Sequence, residues 1–73
     1  MIADAAIAKQ ISEMMLEISR KLDGSVALVS ANCLQEERTS YRRAVGKVLG
    51  EILLEILNPL YLKHPSLRPP AME

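Results

Sequence analysis

Residues 41–57 restrict this chain to a helical fold more strongly than any other part of the sequence. Projected at about 100° per residue, the segment places its charged side chains on one stripe formed by Arg43, Lys47, Glu51 and Glu55. Its apolar side chains spread over roughly half of the helix circumference. This periodicity predicts an amphipathic α-helix with one solvated stripe and a wide apolar face.

A second helical pattern occupies residues 3–22. Apolar residues recur at steps of three or four, at Ile7, Ile11, Met14, Ile18 and Leu22, with Met15 beside them. Charged residues step by four along the other side, at Lys9, Glu13, Glu17 and Lys21, where i,i+4 pairs can form. Asp23 and Gly24 follow, and glycine commonly ends a helix by adopting a left-handed conformation. We therefore expect helix one to end near Leu22.

The connection between the two helices gives a weaker signal. A lone strand at residues 26–29 would have no partner, whereas Ser25 and Ser30 can each cap a helix start. We expect helix two to begin between residues 26 and 31, with room for a short extra helix in the connection. Pro59 disfavours helical geometry at the preceding Asn58, which predicts that helix two ends at Leu57.

The predicted fold is all-α, with a two-helix antiparallel hairpin over residues 1–58 and a proline-rich, extended tail over residues 59–73. All four prolines of the chain lie in this tail. We expect its apolar residues Leu60, Tyr61 and Leu62 to fold back over one end of the hairpin. The alternative is that residues 66–70, SLRPP, form a polyproline-type ligand for a partner with a matching groove.

Self-association is predicted from the small size of the core. A chain of 73 residues buries little surface, and its single cysteine, Cys33, excludes an internal disulfide. The apolar arc of helix one, about 120° wide, cannot cover the wider face of helix two. Two hairpins packed face to face would close a four-helix bundle, which predicts a homodimer. A monomer covered by its own tail and a complex with an unidentified protein are the alternatives.

The predicted self-association or partner interface lies on helix two. It consists of Tyr41, Val45, Gly46, Val48, Leu49, Gly50, Ile52, Leu53, Ile56 and Leu57. The Gly-x-x-x-Gly pair within it would let another backbone approach closely. The same pair occurs in membrane-spanning helices, but the four charges on one stripe would each be costly in lipid, so we predict no membrane span.

The sequence favours neither catalysis nor a cofactor. The carboxylate pairs Glu13/Glu17 and Glu51/Glu55 resemble the spacing of metal-binding bundles, but such sites also need histidine one turn from a glutamate. The only histidine, His64, lies in the tail, and no motif surrounds it or Cys33. We therefore predict a non-enzymatic protein with no metal, no cofactor and no small-molecule substrate.

The charge distribution leaves two functional classes. Nine basic and nine acidic residues cancel, which disfavours membrane surfaces and nucleic acid as general partners. The start of the sequence has acidic residues and no signal-like segment, so we expect a cytoplasmic protein. The preferred function is a small protein–protein interaction or adaptor module. The alternative is a small nucleic-acid-binding regulator that uses the basic residues of helix two, Arg38, Arg42, Arg43 and Lys47.

Overall fold

Two long helical arms pack antiparallel in the structure, a computed structural model that describes residues 1–70. Within that range the chain forms no strand, which confirms the all-α class and the hairpin-like arrangement. The elements are α1 (Ala5–Asn32), α2 (Gln35–Glu51), a π-helical segment (Ile52–Leu57), α3 (Asn58–Lys63) and a 3₁₀ turn (Pro65–Leu67). Because α2, the π segment and α3 follow one another without a break, they form a single second arm.

Helix α1 ends ten residues later than predicted. It begins after Asp4, whose Oδ1 accepts a hydrogen bond from the Ile7 N–H at 3.1 Å, and continues to Asn32. The predicted end near Leu22 is wrong because Gly24 does not adopt a positive φ. Glycine costs a helix about 1 kcal/mol, and the contacts that residues 25–32 make with α2 outweigh that cost.

A heptad-like line of residues on α1 faces the second arm. Its members alternate at steps of four and three: Ala8, Ser12, Met15, Ser19, Leu22, Val26 and Val29. Ala8 and Ser12 are buried and the others are half-buried. Alanine and serine are small, so they let the two arms approach closely.

The turn between the arms consists of Cys33 and Leu34 only. The Arg38 Nε–H donates to the Cys33 carbonyl at 2.7 Å, and the Leu34 N–H donates to Glu37 Oε1 at 3.0 Å. These bonds close the end of α1 and the start of α2. Helix two therefore begins at Gln35, later than the predicted 26–31, and no extra helix lies in the connection.

The second arm passes through Pro59 without ending. Proline lacks an N–H, and in an α-helix its ring crowds the carbonyl four residues earlier. The π-helical segment widens the turn before it, where the Asn58 N–H donates to the carbonyl of Leu53, five residues earlier. The prediction that helix two ends at Leu57 is therefore wrong. The tail is helical at residues 58–63 and not extended there, while its residues 71–73 lie outside the described range.

The π segment also turns the end of the second arm toward α1. Counted from the buried Val45 at about 100° per residue, an uninterrupted α-helix would place Leu57 about 120° away and Tyr61 about 160° away. One extra residue in a turn sets the following residues back by about 100°, which brings both close to the side of Val45. In the structure Leu57 is 3% exposed and Tyr61 is 5% exposed.

The buried core lies at the end of the hairpin remote from the turn. Ala8, Leu57, Leu60 and Tyr61 form it, and half-buried residues around them include Ile2 and Leu67. The Nε2–H of His64 donates to the Ile2 carbonyl at 2.6 Å and ties the two chain ends together. Leu60 and Tyr61 thus do cover this end, but Leu62 is 84% exposed, so the prediction that all three fold back is wrong for Leu62.

Both tyrosines of the chain bond to serines of α1. The hydroxyls of Tyr61 and Ser12 lie 2.6 Å apart in the core, and those of Tyr41 and Ser25 lie 2.8 Å apart nearer the turn. Ser25 also donates to the Leu22 carbonyl, at 2.6 Å. Two directional bonds at separated points fix the axial register of the two arms, whereas apolar contacts alone do not.

Removal of the core tyrosine hydroxyl should be costly. We expect Tyr61→Phe to lower the free energy of unfolding by about 2 kcal/mol, because it leaves the buried Ser12 hydroxyl without its partner. Tyr41→Phe should cost about 1 kcal/mol or less, because Ser25 keeps its bond to the Leu22 carbonyl. Urea unfolding followed by circular dichroism measures both. Equal losses would contradict this account of the core.

A deletion within the π segment should remove it, whereas a deletion outside it should not preserve the core. In a Pro59→Ala background, deletion of the exposed Leu54 should leave a regular α-helix with the same core register and change the unfolding free energy by about 1 kcal/mol or less. Deletion of the exposed Lys47 in that background rotates either Val45 or Ile52 out of contact with α1. The free energy of unfolding should therefore fall by about 2 kcal/mol or more. Urea unfolding distinguishes them, and similar losses would contradict the register argument.

Candidate self-association surface

A second line of apolar residues on α1 is left largely exposed. It consists of Ile7, Ile11, Met14 and Ile18, each one residue before a member of the line that faces the second arm. Ile7, Met14 and Ile18 are 46%, 54% and 40% exposed, whereas Ile11 packs against the core. One residue corresponds to about 100° of rotation, so this line points to the side of the hairpin. The sequence pattern identified these residues as apolar but did not show that a neighbouring line faces the second arm.

Val48 lies on the same side of the hairpin. It is 47% exposed and follows the buried Val45 by three residues, so it is offset from the contact with α1 in the same rotational sense as the exposed line of α1. When two helices pack antiparallel, side chains that are rotated in the same sense away from the contact lie on the same side of the pair. A groove of about 390 Å³ between the arms is lined on this side by Val29, Ser40 and Ala44. We call the surface formed by Ile7, Ile11, Met14, Ile18 and Val48 the outer face.

Much of the interface predicted on helix two is used within the chain. Val45 and Leu57 are buried, Ile52 packs against the core, and Tyr41 bonds to Ser25. Leu49 and Ile56 are half-buried as well. Of the large apolar residues in the predicted set, Val48 and Leu53 are exposed, at 47% and 37%.

The apolar face predicted for helix two was too wide, partly because the projection took no account of the π segment. A projection at a constant 100° per residue spreads residues 52–57 around the helix, whereas the structure sets the later ones back toward α1. The projection therefore overestimated the apolar surface of helix two that is left for a partner. The exposed line on α1 is the stronger reason to expect a partner.

The glycine pair of α2 has no close neighbour in the chain. Gly46 is exposed and Gly50 is half-buried, and a Cβ atom added at either would meet nothing within 4 Å. Neither glycine is needed for the packing of α2 against α1. Whether they contact another molecule stays a prediction.

The four cations of α2 do not form a single surface. Arg38 is held at the turn by its bond to the Cys33 carbonyl. Arg42 and Lys47 are about 140° apart on the helix. Arg43 and Lys47 line a shallow depression together with the acidic Glu36, and every residue that lines it belongs to α2. Because the cations are divided in this way, they form no continuous basic surface for a phosphate backbone.

Groups suited to other chemistry remain apart. Within residues 1–70, no three or more histidine, cysteine, aspartate or glutamate side chains come close enough to hold a metal ion. Glu17 pairs with Lys21 at 3.9 Å, both exposed, as solvated i,i+4 neighbours do. Cys33 is half-buried at the turn and His64 bonds to the Ile2 carbonyl at the other end. None of the described helices is both long and apolar enough to cross a membrane.

Comparisons of the chain with known protein families, curated proteins and solved structures found no match. The surfaces described above therefore carry the functional argument.

Nucleic-acid binding can be tested directly on the cations of α2. We expect the protein to produce no electrophoretic shift of duplex DNA or single-stranded RNA at low salt, because the cations are divided and bordered by acidic residues. The matched variant is Arg42→Glu with Arg43→Glu. A shift that weakens with added salt and is abolished in this variant would support the nucleic-acid-binding alternative.

Proposed function

We propose that this protein is a small non-enzymatic interaction or adaptor module that acts as a homodimer in the cytoplasm. In this proposal two hairpins pack through their outer faces into a four-helix bundle. The observation that carries the proposal is that α1 has two apolar lines one residue apart, only one of which faces the second arm.

The two lines of α1 match the environment of a helix in a four-helix bundle. Each helix there has two neighbours on sides roughly at right angles. The lines of α1 are about 100° apart, and the hairpin supplies a neighbour for one of them. The line without a neighbour is the more hydrophobic of the two, because it contains Ile7, Met14 and Ile18 where the other contains Ala8, Ser12 and Ser19.

The dimensions of the hairpin also favour a partner. It measures 45 × 19 × 16 Å and has a radius of gyration of 14.5 Å, against about 11 Å for a compact domain of this length. Its accessible surface of 5356 Å² exceeds by about 900 Å² the roughly 4,500 Å² of a compact monomer of 8.1 kDa. A standard interface buries about 800 Å² per partner, so one contact between copies removes an excess of this size.

As far as residue 70, where the described part of the chain ends, the tail does not cover the outer face. Residues 58–67 pack at the end of the hairpin, while Ile7, Met14 and Ile18 remain 46%, 54% and 40% exposed. This disfavours the monomer covered by its own tail. An unidentified protein could occupy the face instead, and the solution mass of the purified chain separates that alternative from a homodimer.

The solution mass tests the proposal. Light scattering on a sizing column should give about twice the 8.1 kDa chain mass over a range of concentrations. Ile18→Glu should weaken dimerisation at least about tenfold, because the symmetric contact would bury two unpaired carboxylates. Ala27→Glu adds the same charge at an exposed position off the outer face and should leave the mass unchanged.

Other results would contradict the proposal in distinct ways. A wild-type chain that is folded and monomeric at all concentrations would exclude the homodimer. A dimer that resists Ile18→Glu but dissociates with Gly50→Leu would assign the contact to the glycine side of α2 instead. Lys47→Ala is the neutral control for the second variant, since this exposed residue lies on the solvated stripe.

A further inference from the structure

We infer that the second copy docks with its α1 antiparallel to the first α1, about a two-fold axis between Ile11 and Met14. This inference rests on the proposed homodimer and deepens it by naming the contacting helices and their register. The structure supplies the apolar line on α1, its exposure and its spacing, and the partner of matching chemistry is another copy of this chain.

The spacing of the line is complementary to itself in this register. Steps of four, three and four between Ile7, Ile11, Met14 and Ile18 follow the a and d positions of a coiled-coil seam. When the line meets a reversed copy, Ile7 faces Ile18 of the partner subunit and Ile11 faces Met14 of the partner subunit. Every residue of the line then has an apolar partner, and a two-fold axis relates the two halves of a seam about 17 Å long.

The competing register places α1 of one copy over α2 of the other. On the outer side, α2 has Val48, and the exposed Glu51 follows it by three residues at the end of α2. Residues of the α1 line would then cover this carboxylate and remove it from water. Because α1 offers no cation within its apolar line, that arrangement costs more than the pairing of α1 with itself.

The α1 pairing also leaves the charged stripe of α1 in solvent. Glu13 lies on the opposite side of α1 from Ile11, and the exposed Glu17–Lys21 pair borders the seam, where it stays in contact with water. The chain has zero formal net charge, so no overall repulsion opposes the approach of two copies.

Disulfide trapping tests the register. Single-cysteine variants are made in a Cys33→Ser background, so each chain has one thiol. A mixture of Ile7→Cys and Ile18→Cys should form the mixed disulfide dimer under mild oxidation, at least about fivefold more than either variant alone, because residues 7 and 18 face each other only between copies. Ile7→Cys mixed with Arg20→Cys is the matched control, since Arg20 is exposed on another side of α1.

The outcomes separate the inference from the proposal beneath it. A dimer that traps Ile18→Cys with Val48→Cys, or Gly46→Cys with itself, or no pair at all, overturns the α1 pairing while the homodimer stands. A monomeric mass for the parent protein overturns both. If the cysteine variants themselves dissociate, amide exchange of the unmodified protein decides: dilution below the dimer range should accelerate exchange in residues 7–18 more than in residues 46–53, and the reverse overturns the inference.

Discussion

The rotational register between α1 and the second arm is the constraint on which the rest of the structure depends. Val45 near the middle and Leu57 and Tyr61 near the end must face the same helix, yet an uninterrupted α-helix would turn the last two away. The π segment at Ile52–Leu57 supplies the missing rotation. It also accommodates Pro59 without ending the helix. The same local change therefore corrects the rotation of the arm and relieves the clash between the proline ring and the preceding turn.

The core that follows from this register is small and concentrated at one end. It is built around Ala8, Leu57, Leu60 and Tyr61, and the Ser12–Tyr61 hydroxyl pair lies inside it. Nearer the turn, contacts are half-buried and depend on the Ser25–Tyr41 bond and on the Arg38 bond to the turn carbonyl. Small residues on α1 bring the arms close but bury little apolar area, so the hairpin gains limited stability from its internal interface.

The helical class and the amphipathic stripes were predictable from residue spacing, because helix periodicity depends on local sequence. The positions of Gly24 and Pro59 relative to the helices were not. Both residues usually interrupt helices, and here contacts distant in sequence outweigh those local preferences. The sequence also did not indicate which of the two apolar lines of α1 contacts the second arm. The more hydrophobic line at Ile7, Met14 and Ile18 suggested the internal contact, whereas close packing selected the smaller residues one position later.

That selection has a physical consequence for assembly. An isolated hairpin gains most by burying its largest apolar residues internally, and this chain instead buries Ala8 and Ser12 while Ile7, Met14 and Ile18 face outward. The arrangement is unfavourable for a permanent monomer, since it leaves a continuous apolar strip in water. It is favourable for a subunit, because the small residues set a close distance within the hairpin and the large residues remain for a contact between hairpins. In the proposed homodimer, association with a second copy adds to the stability of the fold, so the free energy of unfolding rises with protein concentration.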